Sequence, residues 1–138
     1  MTDAKKDTNR DSRAELDKTI SGMRDAIVSA LDEAKGKDIQ AFDVRDMTDV
    51  TDYMIVASGT SDRHVKALAG QLIDTMRENG HRPIGVEGED TADWILIDFG
   101  DVVAHVMREQ TREFYDLEGL WSEQVRDLVK AQREGRLE

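Results

Sequence analysis

The sequence predicts an α/β fold, a single compact domain with a mixed β-sheet and flanking helices. Three observations predict it. Apolar residues recur at helical spacing in two long blocks, short apolar runs of strand character stand between and after those blocks, and several of these runs are joined by connections too short to hold a crossover helix. At 138 residues the chain can build one core and not two. Its 38 % hydrophobic and 36 % charged residues would approach disorder if spread evenly, but the apolar ones gather in periodic blocks between Leu16 and Trp121.

From Leu16 to Lys35, the positions Leu16, Ile20, Met23, Ile27, Leu31 and Ala34 fall on one helical stripe, and Gly36 is a natural stop. Asp38 to Val44 alternates loosely and reads as a strand. Tyr53 to Ser58, "YMIVAS", is nearly all apolar, as suits a central strand covered on both faces. The segment from Gly59 to Gly80 then gives the clearest helix. Thr60 or Ser61 can cap it, Asp62 suits the positive end of its dipole, and Val65, Leu68, Leu72, Ile73 and Met76 form its buried stripe. Pro83 to Val86 is a short strand whose proline suits an edge. "WILID" (Trp94–Asp98) and "VVAHVM" (Val102–Met107) follow as a hairpin around the tight turn "FGD". Arg108 to Trp121 places Phe114, Leu117, Leu120 and Trp121 at helical spacing, with Gly119 weakening the last turn. Residues 1–15 read as a flexible charged extension, residues 16–121 as the domain, and residues 122–138 as a tail that is helical or disordered.

Composition removes several classes of function. Without cysteine there is no disulfide framework and no thiolate ligand or nucleophile. The N-terminus lacks the apolar stretch of a signal peptide, and no run approaches the roughly 20 apolar residues that span a bilayer, so the expectation is a soluble cytoplasmic protein without a membrane partner. The net charge is −11, and residues 37–121 concentrate it, with 18 acidic against 8 basic side chains. Such a domain repels phosphate backbones, which disfavours autonomous nucleic-acid binding and favours a basic protein partner.

No motif assembles a catalytic centre. Gly59-Thr60-Ser61, between a strand and a helix, could cradle a phosphate, but it lacks the ending of a P-loop and the third glycine of a dinucleotide fingerprint, and a capped helix after a tight turn accounts for it better. A glycine-serine start also belongs to nucleotidyltransferases, yet these need paired carboxylates on the following strand to hold metal ions, and Pro83 to Val86 has none. "DFG" at Asp98–Gly100 matches the kinase triplet by letters alone. The acids Glu87, Glu89, Asp90, Asp93, Asp98 and Asp101 fit no calcium loop and read as a solvated rim. His64, His81 and His105 lack ligand spacing. His105, between Val103 and Met107 on its strand face, reads as a structural histidine, and Ser58, Thr60 and Ser61 have no base partner. Neither cofactor nor metal is expected. Trp94, beginning a strand after a polar turn, suits an interface anchor, whereas Trp121 suits the core or an interface equally.

Three blocks, "TDYMIVASGTSDRHVKALA", "GVEGEDTADWILIDFGDVVAHVM" and "REFYDLEGLW", together resemble the ribosomal silencing factor, or Iojap-like, family from about Leu16 to Ser122. The resemblance implies a nucleotidyltransferase-like domain without the catalytic carboxylates and without enzymatic activity. It further implies a translational repressor that binds the large ribosomal subunit through a ribosomal protein on the intersubunit face, blocking the small subunit when nutrients are scarce, and it implies a tendency to dimerise. Carried over by matching motif, Asp93, Trp94, Asp98, Tyr115, Leu120 and Trp121 are expected at or beneath the contact surface. The competing reading is a nucleotide-binding or nucleotidyl-transferring enzyme that uses Gly59 to Ser61.

Overall fold

The computed structural model describes residues 2–133. The end of the C-terminal tail expected over residues 122–138 lies outside them. Elements follow in the order α1 (Thr2–Glu33), β1 (Lys37–Asp43), β2 (Tyr53–Gly59), α2 (Asp62–Glu78), β3 (Gly85–Glu87), β4 (Trp94–Asp98), β5 (Val102–Arg108), α3 (Glu109–Tyr115), a 3-10 turn (Leu117–Trp121) and α4 (Glu123–Arg133). The five strands form one sheet in the order β1-β2-β5-β4-β3, with β2 and β5 parallel and every other pair antiparallel. This is the mixed sheet that the short connections predict. Only the β2 to β5 step is a parallel crossover, and it encloses α2.

Strand β2 is buried along its length and β5 along most of it, because helices cover both faces. All seven residues of β2 are buried, and its alternate side chains enter different clusters. Tyr53, Ile55 and Ala57 join Val102, Ala104 and Val106 of β5 and Ile95 and Ile97 of β4 beneath α1 and α2. From the helices come Ile20, Ile27 and Leu31, together with Val65, Leu68, Leu72 and Met76. Each fully buried Leu or Ile contributes on the order of 2 kcal/mol by leaving water. Met54, Val56 and Met107 point the other way and, with Val44, form a smaller core under Leu117 and Trp121.

Three local details depart from the sequence expectation. First, α1 begins at Thr2, well before Leu16; the preceding segment has no Gly or Pro to break a helix, and its Ala, Lys and Arg residues favour one. Leu16 is 56 % exposed, so the buried stripe starts at Ile20. Second, the left-handed residue that closes α1 is Lys35 (φ 67°), and the Gly36 N–H donates to Leu31 O at 2.8 Å. Third, the expected helix through Trp121 breaks at Asp116, whose φ of 46° ends α3, and the chain continues as a tighter 3-10 turn. A Cβ on Gly119 would stand 2.6 Å from Asp116 Oδ2, so a side chain there would displace the Asp116 carboxylate.

Candidate functional site

The turn before β4 fixes the tryptophan. Gly88 adopts φ 91°, and a Cβ there would lie 2.0 Å from the Trp94 carbonyl oxygen. No residue with a side chain fits. Ala92, fully buried, donates its N–H back to Gly88 O at 3.1 Å, and Arg108 N–H donates to Asp93 O at 2.9 Å. The far end of the hairpin is equally tight. Phe99 N–H donates to Val102 O at 2.9 Å around a two-residue loop whose Gly100 has φ 88°. That loop sets the register in which Trp94 faces Met107 and Leu96 faces His105.

Trp94 therefore lies diagonally across from His105 on the strand face away from α1 and α2, within reach of a long aromatic side chain. Its indole Nε1–H donates to His105 Nδ1 at 2.9 Å. Tyr115, delivered by α3, stands 5.1 Å from the Trp94 ring, and Phe114 meets Tyr115 edge-on at 5.1 Å. Phe114 is 81 % exposed and Tyr115 55 % exposed, which is unusual for adjacent aromatics in a chain with so few. These rings border an open cleft of about 510 Å³ lined by Thr91, Asp93, Trp94, Gln110, Thr111, Phe114 and Tyr115. At its rim the Asp93 carboxylate accepts from Arg108 at 3.0 Å, a half-exposed pair contributing at most about 1 kcal/mol.

Of the residues expected at the contact surface, Asp93, Trp94 and Tyr115 come together here. Leu120 is exposed on the 3-10 turn. Trp121 turns inward, packs on the cluster of Val44, Met54, Val56 and Met107, and donates its indole N–H to Met54 Sδ at 2.9 Å. Its position is that of a brace, and it packs on the same cluster as Trp94. Asp98 occupies the opposite end of β4, roughly 13 Å along the strand from Trp94, and accepts from Gly100 N–H at 2.7 Å to close the hairpin.

The sequence reading missed Arg112. This arginine is only 8 % exposed; its Nε donates to Glu118 at 2.6 Å and its Nη1 to Ser58 Oγ at 2.9 Å. It ties α3 and the following turn to the carboxyl end of β2. A single arginine within a charged helix gives no pattern signal, and only the fold brings Ser58 and Glu118 to it. Phe114 also escaped, because helical spacing placed it on the apolar stripe whereas the break at Asp116 leaves it outside.

The Gly59 to Ser61 loop is bonded to the first turn of α2. Ser61 Oγ caps α2 by accepting from His64 N–H at 3.1 Å, and Thr60 N–H donates to His64 Nδ1 at 2.9 Å. A Cβ on Gly59 would meet Val65 at 2.8 Å, so this glycine serves helix packing. Among the described residues, no group of three or more His, Asp or Glu side chains is placed to hold a metal ion.

The family model described as ribosomal silencing factor during starvation matches residues 17–137. The chain belongs to the ribosomal silencing factor family. A protein of Haemophilus influenzae named ribosomal silencing factor RsfS is 45 % identical over 96 residues, covering 70 % of this chain and 94 % of that one. A mouse protein named mitochondrial assembly of ribosomal large subunit protein 1 is 38 % identical over 101 residues, covering 71 % of this chain and 44 % of its own length. A crystal structure from Chromobacterium violaceum superposes with a TM-score of 0.73 at 42 % identity, covering 74 % of this chain and 85 % of that one. The ribosomal silencing factor match extends through α4, past the point at Ser122 where the motif resemblance stops.

Proposed function

We propose that this chain represses translation by binding the large ribosomal subunit and occupying the face that meets the small subunit, above all under nutrient limitation. The partner is a basic ribosomal protein on that face, the mechanism is steric exclusion with no chemistry of its own, and the place of action is the cytoplasm. The observation that carries this reading is the aromatic group of half-buried Trp94 and exposed Tyr115 and Phe114, which borders an open cleft on a strongly acidic domain.

Aromatic side chains dominate the energetics of protein interfaces, and opposed charge speeds and orients association. Family membership supports a ribosomal target, and the name of the mouse relative supports the large subunit. Enzymatic use of Gly59 to Ser61 finds no support in the geometry, because the Thr60 amide that would cradle a phosphate is already bonded to His64.

Cosedimentation with purified large and small ribosomal subunits at several salt concentrations tests the proposal. The expected outcome is binding to the large subunit alone, weakening as salt rises, and reduced at least tenfold by Trp94→Ala in a variant whose circular dichroism is unchanged. Equal binding to both subunits, or to neither, would refute it.

A further inference from the structure

We infer that His105 is a positioning residue for the partner-binding surface, its Nδ1 holding the Trp94 indole in the orientation used for docking. This rests on the reading of Trp94 as a contact residue. An indole nitrogen can only donate, so the bond of 2.9 Å requires a lone pair on Nδ1 and places the imidazole proton on Nε2. Burial favours that neutral state, pushing the His105 pKa down to about 4. The acceptor is therefore present throughout the neutral range.

His105 is itself well anchored. It stands in β5, paired on one side to Val56 of β2 and on the other to Leu96 of β4, and it is 9 % exposed. Trp94, in contrast, is half-buried beside the cleft. The rings of the two residues lie 5.8 Å apart and tilted at 50°, so the contact is a directed hydrogen bond and not a stack. Tyr115 closes the indole from α3. A side chain immobilised before docking gives up less conformational freedom on binding, a gain of roughly threefold to tenfold in affinity. An apolar residue at 105 would offer the indole N–H no acceptor and would not fix its orientation.

The test is a double-mutant cycle read by binding of the full chain to purified large ribosomal subunits, together with the Trp94 indole N–H signal in nitrogen-15 NMR. His105→Leu removes the acceptor and is expected to move that signal and weaken binding about threefold to tenfold. His105→Asn returns an acceptor oxygen near the place of Nδ1 and is expected to recover most of the affinity. In a Trp94→Phe background, which has no indole N–H to hold, His105→Leu is expected to cost nothing further. If Trp94→Phe weakens binding but His105→Leu does not, or if His105→Leu costs the same in both backgrounds, the positioning role is overturned while the surface assignment stands. If Trp94→Phe leaves binding unchanged, both are overturned. Should His105→Leu fail to fold, His105→Gln replaces it, since its amide oxygen reaches the place of Nε2; binding by the Gln variant equal to that of the Asn variant would then overturn the role.

Discussion

The two faces of the sheet are built by different means. Beneath α1 and α2 the buried contact is predominantly apolar, and Ile27, Leu31, Leu68, Leu72 and Ile97 are fully buried. On the other face the apolar core shrinks to Val44, Met54, Val56 and Met107, and polar latches do the rest. These are Trp94 on His105, Trp121 on Met54, and Arg112 on Ser58 and Glu118. The first face spends its side chains on stability. The second holds the proposed contact surface in place while leaving Phe114, Tyr115 and Leu120 in water. Directional bonds suit that task, because they fix orientation without covering the groups that a partner must reach.

The largest effect is expected on the apolar face. Leu72→Ala should cost about 3 kcal/mol of stability through lost transfer energy and an unfilled cavity, read by denaturant unfolding. Its folded fraction should bind large subunits as the parent does. Weaker binding per folded molecule would show that the two faces are coupled and would break the contrast.

Acid should act through the latch side. The His105 pKa lies near 4 in the fold, below the ordinary 6.5, owing to burial. As pH falls, the unfolded chain takes up this proton first. The contribution is thus complete above pH about 6.5, declines between about 6.5 and about 4, and is lost below, by at most about 3 kcal/mol. Asp52, raised by burial and by Asp101, works in the opposite sense at the other end of the sheet. Unfolding curves across this range should slope less for His105→Asn than for the parent. Identical slopes would remove His105 from the acid response.

The smallest change in stability, with a marked change in binding, is expected at Phe114. Phe114→Ser gives up one exposed edge-on contact with Tyr115 and should alter the unfolding free energy by less than about 1 kcal/mol. Affinity for the large subunit should fall more than tenfold if this ring belongs to the anchor cluster. An unchanged affinity would confine the contact surface to Trp94 and Tyr115.

Much of this was legible in the chain. The stripe from Ile20 to Leu31, the apolar run of β2, the capped helix α2 and the Phe99-Gly100-Asp101 turn each satisfy a local rule of period, cap or turn, and together they order the elements and make the sheet mixed. Even the register that sets Trp94 against Met107 is implicit in a two-residue loop closed by glycine. What local rules could not reach were the pairs distant in sequence. Arg112 finds Ser58 across 54 positions, and Trp121 finds Met54 across 67.

The extent of α1 was missed for a related reason, since a polar helix carries no apolar period to read. Which residues are apolar, where the chain turns and which family pattern it carries can be read from the chain alone, because these depend on neighbours a few positions apart. It took the folded arrangement to show that Trp121 braces the fold while Phe114 and Tyr115 face water, that Asp98 stands away from Trp94, and that His105 meets the indole. Those outcomes depend on which strands lie side by side and on the break at Asp116, and packing of the whole sheet sets both.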